Sequence, residues 1–567
     1  MLLAALPLHF VYNSAVYSTT STSSYNVYVV APDFFKDAFV PANGPGGNGS
    51  DITEYKSIQN LATFNRSASE WEAMDMQALV KRYSSGTVDK YRDVVLVAEQ
   101  TDFNVSGVLF HYTAAVSDDR IQNLWLCQFF TKPWSYSCDS SNIGNMSRPS
   151  WSIEAPDGAS DFFRPQYWTV DIKNVRIDLQ ARGLSEKNNL ECRLIAIPLF
   201  WWITTVCNLV IAACLSGMCW FHRSTPLVTI GDVIDSFLTR PSEEIPKSGC
   251  TYGYGAFKNM FRPTLWPRPY VPRKARWWRA VGLQRWSLTT IWFFSVLTIV
   301  LVAFVYFAGG SDGVSVKDVF SNGGFGSFDR NAAIWGFNTA STVVAPREKW
   351  RLVLLANTPQ FVFSMTYLLY NAILTTMLAE HEWQAFGQQP AMLRVSQPRG
   401  GQRSTLFLSL PYQYGVPFLV ISGAMQWLVS QSLFFAEVDL WTERGEMMYG
   451  EKGFATLGYS TLAMFWVIII GFLSWLFVAV LGAVRAFPVG MPLMGACSAV
   501  IAASCHVPAE MRGQDRDIAS GAVSWGAVKR ISGDNSNNDD DGGEEEQWLS
   551  FLPGQAEQVT VHHQVYG

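Results

Sequence analysis

Five polar residues recur through an otherwise apolar run: Asn357, Gln360, Ser364, Tyr367 and Asn371. Their spacing alternates between three and four, which puts all five on one face of a helix. A second run carries Ser422, Gln426 and Ser430, with Gln431 beside them. Amides and hydroxyls can donate and accept hydrogen bonds without carrying charge, and facing lipid is unfavourable for them, so both rows should face other helices. Two uses fit. The rows line a polar pathway or pocket for an uncharged or amphipathic solute. Alternatively they form a packing face, with bonds of about 1 kcal/mol or less each. Pro359, inside the first row, frees a backbone carbonyl there as a further acceptor. No Asp, Glu, Lys or Arg interrupts the apolar middle of either run. That argues against proton-coupled pumps and voltage sensors, which need ionisable groups within the bilayer.

Other residues with chemical capacity are scattered. Cys497, Cys505 and His506 have no fourth ligand at a usual spacing, so they read as ordinary thiols and no metal site is expected. His111 is the one histidine between residues 18 and 190, and a hydrolytic triad there would depend on it alone. Nucleotide-binding, nucleophile-elbow and metalloprotease motifs do not occur. The sequence therefore calls for no enzyme activity and no cofactor. A net charge of -5 gives no basis for nucleic-acid binding.

The elements that must position the polar rows are the apolar runs themselves. Five runs, at about 194–221, 287–308, 352–379, 413–435 and 460–484, have the roughly 17–25 residues that a membrane span needs. Residues 1–17 read as a sixth, partial helix whose beginning is missing. They lack the basic start of a signal peptide and are interrupted by Pro7, His9 and Asn13. Composition agrees. Only 16% of residues are charged, against about a quarter in soluble chains. The 22 tryptophans suit membrane–water boundaries.

Charge sets the expected orientation. The loop 222–286 carries 11 Lys+Arg against 4 Asp+Glu, and the loop 380–412 carries Arg394, Arg399 and Arg403. Both belong in the cytoplasm by the positive-inside rule. The acidic loop 436–459 belongs outside, and so does 309–351 by helix parity. Glycosylation acceptors at Asn48, Asn65, Asn104 and Asn145 all fall within 18–190, on the side already assigned as outside. That segment is long enough for a domain of its own. Alternation at Tyr25–Val30, Val94–Val97 and Val108–Tyr112, with helical patterning around 68–83, points to an α+β unit. Cys127 and Cys138 lie close enough in sequence to bridge, with Cys192 left over. The expected fold is thus an all-α transmembrane helix bundle of about six spans, the first one incomplete. An α+β, β-containing extracytoplasmic domain is inserted between spans 1 and 2. A cytoplasmic tail, 485–567, is expected to be disordered from about 530, where Asp539–Asp541 and Glu544–Glu546 cluster.

Two amphiphilic segments flank the spans. Leu227, Ile230, Val233, Ile234, Phe237 and Leu238 form an apolar stripe, suited to an interfacial helix or to a packing helix. Within the 262–279 basic loop, Arg262, Arg268, Arg273, Lys274, Arg276 and Arg279 interleave with Trp266, Trp277 and Trp278. That pattern suits anionic lipid headgroups, or serves only to set topology.

Several stretches resemble a known family: LPLHFVYNSAVY (6–17), VYVVAPDFF (27–35), PLVTIGDVIDSFLTRP (226–241), LLANTPQFVFSMTYLLYNAI (354–373), LRVSQPRGGQRSTLFLSLPYQYGVPFLVISG (393–423), LVSQSLF (428–434), GMPLMGACSAVIAASCH (490–506) and SWGAV (524–528). Together they resemble the fungal multi-pass membrane proteins that carry the DUF6536 domain of unknown function. The resemblance implies further membrane helices before the LPLH segment, so that this chain looks N-terminally shortened. It also implies a Cys-Leu-Ser-Glu stretch before the last span-proximal cysteine. Gly183-Leu184-Ser185-Glu186 stands there instead, which leaves Cys192 without that partner. The family has no assigned activity.

The function expected on these grounds is transport or gated passage of a small uncharged solute or lipid. The setting is a multi-pass protein of the plasma membrane or a secretory-pathway endomembrane. The alternative is a membrane receptor or scaffold with a ligand-binding extracytoplasmic domain, and an intramembrane enzyme stands third.

Overall fold

The computed structural model describes residues 14–32, 71–83, 91–99, 108–114, 151–154, 176–187, 194–221, 227–258, 268–310, 346–405, 410–441, 454–508 apart from 489, 518–529 and 547–555, with short pieces at 8, 10–11, 88, 126, 167–168, 313–314, 325 and 565–566. The eight described α-helices are α1 (Met76–Tyr83), α2 (Pro198–Phe221), α3 (Ile230–Thr239), α4 (Leu283–Ala308), α5 (Pro346–Ala385), α6 (Tyr412–Ser432), α7 (Thr461–Val484) and α8 (Ser498–Ala503).

Four of them are long and apolar enough to cross a membrane: α2, α4, α5 from Lys349, and α7. Helix α6 is not among them, because Gln413, Pro417, Gln426 and Gln431 dilute its apolar surface. Helices α4, α5, α6 and α7 pack against one another. Phe293 of α4 stacks on Trp475 of α7 with centroids 6.0 Å apart, and Tyr367 of α5 stacks on Phe418 of α6 at 5.0 Å. Helix α2 touches the rest mainly near its start, where Phe200 meets Trp350 at 4.6 Å. Most of its remaining side chains are exposed.

The connections between these helices lie at alternating ends. One, the sheet end, carries a seven-stranded mixed sheet. Its central strand Tyr25–Val30 runs parallel to Tyr91–Ala98 and antiparallel to Val108–Ala114. Strand Arg176–Lys187 lies beyond Tyr91–Ala98, and Trp71–Asp75 beyond that. Side chains alternate across a strand. Val27 and Val29 face α1, where Met76, Leu79, Val80 and Tyr83 are all buried, while Tyr28 and Val30 pack on the other face. A second, three-stranded sheet joins this region to the helices. Leu433–Trp441, which follows α6, pairs antiparallel with Phe454–Tyr459, which precedes α7, and parallel with Thr20–Ser23. Glu437 of this hairpin takes Lys349 of α5 at 2.7 Å and the Tyr17 hydroxyl.

The opposite end, the tail end, has its own core, built from α3, α8, the last turns of α5 and a sheet of Ala391–Met392, Ala522–Lys529 and Gln547–Pro553. Trp383, Cys505, Val523, Leu549 and Phe551 are fully buried there.

The architecture is therefore mixed α/β, with sheets at both ends. That overturns the all-α bundle of about six spans expected from sequence. Among the described residues four helices qualify as spans. The reason is physical. A search for long apolar runs finds helices but misses short alternating strands such as AVSWGAVK, whose burial depends on partners far away in sequence. The run 413–435 also merged two elements, since Leu433, Phe434 and Phe435 begin a strand. Gln547–Pro553, within the stretch expected to be disordered, pairs with Ala522–Lys529. Of residues 1–17, only a few are described, and Val16–Ser18 is a strand paired with Leu194–Ala196.

Candidate functional site

Helix α5 organises the interior. Its 40 residues span about 60 Å at 1.5 Å each, twice the thickness of bilayer hydrocarbon. It can therefore carry the polar row through the bundle and still enter the tail-end core.

Each row residue has a definite place. Asn357 is buried and donates through Nδ2 to Ser14 Oγ and to the Val353 carbonyl, both at 2.8 Å. Gln360 is buried. Ser364 donates to the Gln360 carbonyl at 3.0 Å, a bond within its own helix. Tyr367 stacks on Phe418, and Asn371 Oδ1 accepts from Thr375 at 3.5 Å. In α6, Ser422 and Ser430 donate to the Leu419 and Trp427 carbonyls, three residues back. Gln426 is half-buried. Several hydroxyls thus satisfy themselves on their own helix, while Asn357 reaches across to another segment.

Sequence reasoning missed two groups beside this row. The Tyr370 hydroxyl and the Trp475 indole N–H are buried, and neither has a hydrogen-bond partner among the described residues. Phe293 touches both rings, with centroids 6.4 Å from Tyr370 and 6.0 Å from Trp475. A buried donor left unpaired costs about 1–3 kcal/mol. Aromatic residues in an apolar run read as core, so no sequence signal separated these two from their neighbours.

At the end of α5, Glu380 is fully buried. Its carboxylate accepts from Gly495 N–H at 2.8 Å, Met494 N–H at 3.2 Å and Gln384 Nε2 at 2.8 Å. Gln384 also bonds both backbone groups of Met491, and Trp383 Nε1 donates to the Pro492 carbonyl at 3.0 Å. The last turns of α5 thus clamp the irregular segment 491–495 through its backbone N–H and C=O groups. Gly495 has φ +60°, and a Cβ there would come within 2.9 Å of the Tyr254 ring.

A second node joins α3 to the 393–405 loop. Asp232 and Thr229 form a capping box at the start of α3. The Asp232 carboxylate also accepts from Ser396 N–H and Oγ, both at 2.7 Å. Burial pushes this carboxyl up, but the hydrogen bonds from Ser396, Thr229 and Val228 outweigh it and hold the group below its ordinary value. The apolar stripe of α3 is spent inside the protein. Ile234 and Leu238 are buried, with Ile230, Val233 and Phe237 packed beside them, and Leu227 stays exposed. Cys250 and Cys505 are buried in the same core, and burial raises the Cys250 thiol to about 11. His506 Nε2 bonds the Ile245 carbonyl at 2.8 Å.

At the sheet end Asp93 is buried and accepts from Asn26 N–H at 2.8 Å. Burial pushes its carboxyl up to about 7 despite that bond. Beside it Arg92 forks onto Glu186, at 2.9 and 2.6 Å, and Tyr83 and Ser185 hydroxyls meet at 2.6 Å. The glycosylation acceptors Asn48, Asn65, Asn104 and Asn145, the Cys127–Cys138 pair, and Arg262 and Trp266 of the basic loop all lie outside the described residues.

A family model described as "Domain of unknown function (DUF8419)" matches residues 256–558. That match covers α4 to α7, the Glu380 clamp and the tail-end sheet. It corrects the resemblance drawn from sequence, since DUF6536 is a different domain and has no match here. Short shared stretches spread along a chain are weaker grounds than one continuous match. No curated protein and no solved structure matches.

Proposed function

We propose that this chain, which belongs to the DUF8419 family, is a multi-pass membrane protein of the plasma membrane or secretory pathway that passes a small uncharged solute or lipid through its helix bundle. The observation that carries this reading is the pair of buried, unpaired donors, Tyr370 Oη and Trp475 Nε1, set around Phe293 between α4, α5 and α7. Tyr370 lies on α5, the helix that carries the row of uncharged polar side chains, and Trp475 lies on α7. Two donors without acceptors are unfavourable in a bundle that only holds itself together. They are useful where a passing hydroxyl or carbonyl oxygen supplies the missing acceptor in turn.

The test is flux of glycerol and urea into vesicles containing only this protein. We expect flux from the natural sequence and a loss of about tenfold or more in a Tyr370→Phe, Trp475→Phe variant. Asn371→Leu with Gln426→Leu should abolish flux at an equal amount of incorporated protein. No flux from the natural sequence, or undiminished flux in both variants, would remove the pathway.

A receptor or scaffold is the second reading, favoured by the strand pairing of Thr20–Ser23 with Leu433–Trp441. That pairing, with the bond from Ser24 N–H to the Trp441 carbonyl at 2.9 Å, links the large sheet to the hairpin between α6 and α7. A ligand on the sheet would then act on the helices through this hairpin.

A further inference from the structure

At the tail end, the segment before α4 and the segment after α7 are bolted together. Arg276 bridges to Ala486, Trp277 N–H donates to the Arg485 carbonyl at 3.0 Å, and Phe487 N–H donates to the Ala275 carbonyl at 2.8 Å. The bolt holds a group of cations in place. Arg276 Nη1 donates to the Ala483 carbonyl at 2.7 Å, one of the acceptors left over at the end of α7. Arg485 lies 5.3 Å from the centre of the Trp277 ring and donates to the Tyr414 hydroxyl at 3.0 Å. Arg279 lies over the Trp278 ring at 5.7 Å, and Arg285 sits in the first turn of α4.

Arg276, Arg279, Arg285 and Arg485 are all exposed, and no described carboxylate forms an ion pair with any of them. Directly beside them, Leu283, Leu288, Val480 and Val484 present exposed apolar surface. Unpaired guanidiniums above an apolar wall match an amphiphile with an anionic head and hydrocarbon tails. A free anion would use the cations and leave the wall uncovered.

We propose that this rim binds the phosphate headgroup of an anionic phospholipid, with its acyl chains along α4 and α7. Arg276 and Arg485 are held rigid by protein acceptors and orient the rim. Arg279 and Arg285, whose guanidiniums have no hydrogen-bond acceptor among the described residues, are placed to fork onto phosphate. The inference rests on the reading that α4 and α7 cross a membrane and end near its surface.

The test uses the full-length protein in detergent, with retained lipids counted by native mass spectrometry. Mixed micelles would contain phosphatidylserine or phosphatidylcholine. The natural sequence should retain phosphatidylserine preferentially. Arg279→Gln with Arg285→Gln should lower that retention roughly tenfold or more, from about 1 kcal/mol per basic residue, with an unchanged unfolding temperature. Arg276→Gln should weaken retention too. Because Arg276 is also part of the bolt, the Arg279, Arg285 pair is the deciding variant. Equal retention of both lipids, or undiminished retention in that pair, would overturn the proposal. So would displacement by millimolar inorganic phosphate, which would mark a free-anion site. A protein that stays dispersed without detergent would instead remove the membrane reading beneath it.

Discussion

Asp93 and Glu380 are both buried carboxylates held by amide donors, yet they serve different parts of the molecule. Asp93 lies in the sheet, one bond from the strand that leads to the hairpin between α6 and α7. Its carboxyl ionises at about 7 in the folded chain against an ordinary 3.8. The folded state therefore holds this proton more tightly than the unfolded state. The resulting stabilisation is fully present below pH 4 and is lost as pH rises through 7. Asp93→Asn keeps an acceptor for Asn26 N–H and removes the titration. Thermal unfolding of the detergent-solubilised full chain should show the variant more stable than the natural sequence at pH 8, by a few kcal/mol at most, with the gap closing by pH 4. A constant gap across that range would assign the effect to another group. Neither carboxylate was legible in the sequence. Asp93 sits in a strand whose burial depends on neighbours at 25–30 and 176–187. Glu380 reads as the first residue of a loop because apolar character ends there, although the helix does not. Its one local signal was Gln384, four residues on and so on the same helical face.

Among the elements, legibility follows range. The alternation of Tyr25–Val30 and the apolar faces of Met76–Tyr83 and α3 can be read locally, because a period of two or of 3.6 needs no partner to be visible. The tail-end strands cannot, since their pairing joins residues 391–392, 522–529 and 547–553. The sequence likewise gave α3 an apolar stripe without saying what would cover it. What covers it is the 393–405 loop and the tail-end core, and Gly231 makes that approach close. A Cβ at Gly231 would stand 2.2 Å from the Arg394 carbonyl oxygen, a backbone atom that cannot move aside cheaply. Gly231→Ala should therefore separate α3 from the loop and break the Asp232–Ser396 bonds. The unfolding temperature should fall, and hydrogen exchange should speed up at Ser396 and Val233 while the seven-stranded sheet keeps its protection. Unchanged exchange at Ser396 would mean that the loop accommodates the methyl group.

At the scale of the whole molecule, the charge pattern and the helix termini describe one division by separate routes. The basic stretches 268–285 and 394–403 both gather at the tail end, and the acidic hairpin with Glu437 and Asp439 gathers at the sheet end. Such a separation of charge follows from how chains enter membranes, because Lys and Arg stay on the side of synthesis. The expected outcome is that the ends lie on opposite sides of a lipid bilayer. Asp75→Cys, exposed in the large sheet, should react with a membrane-impermeant maleimide in intact cells. Ser404→Cys, exposed within the 393–405 loop, should react only after permeabilisation, both measured over the native thiols. Labelling of both positions in intact cells would leave the apolar surfaces of α2, α4, α5 and α7 to be explained by some partner other than lipid.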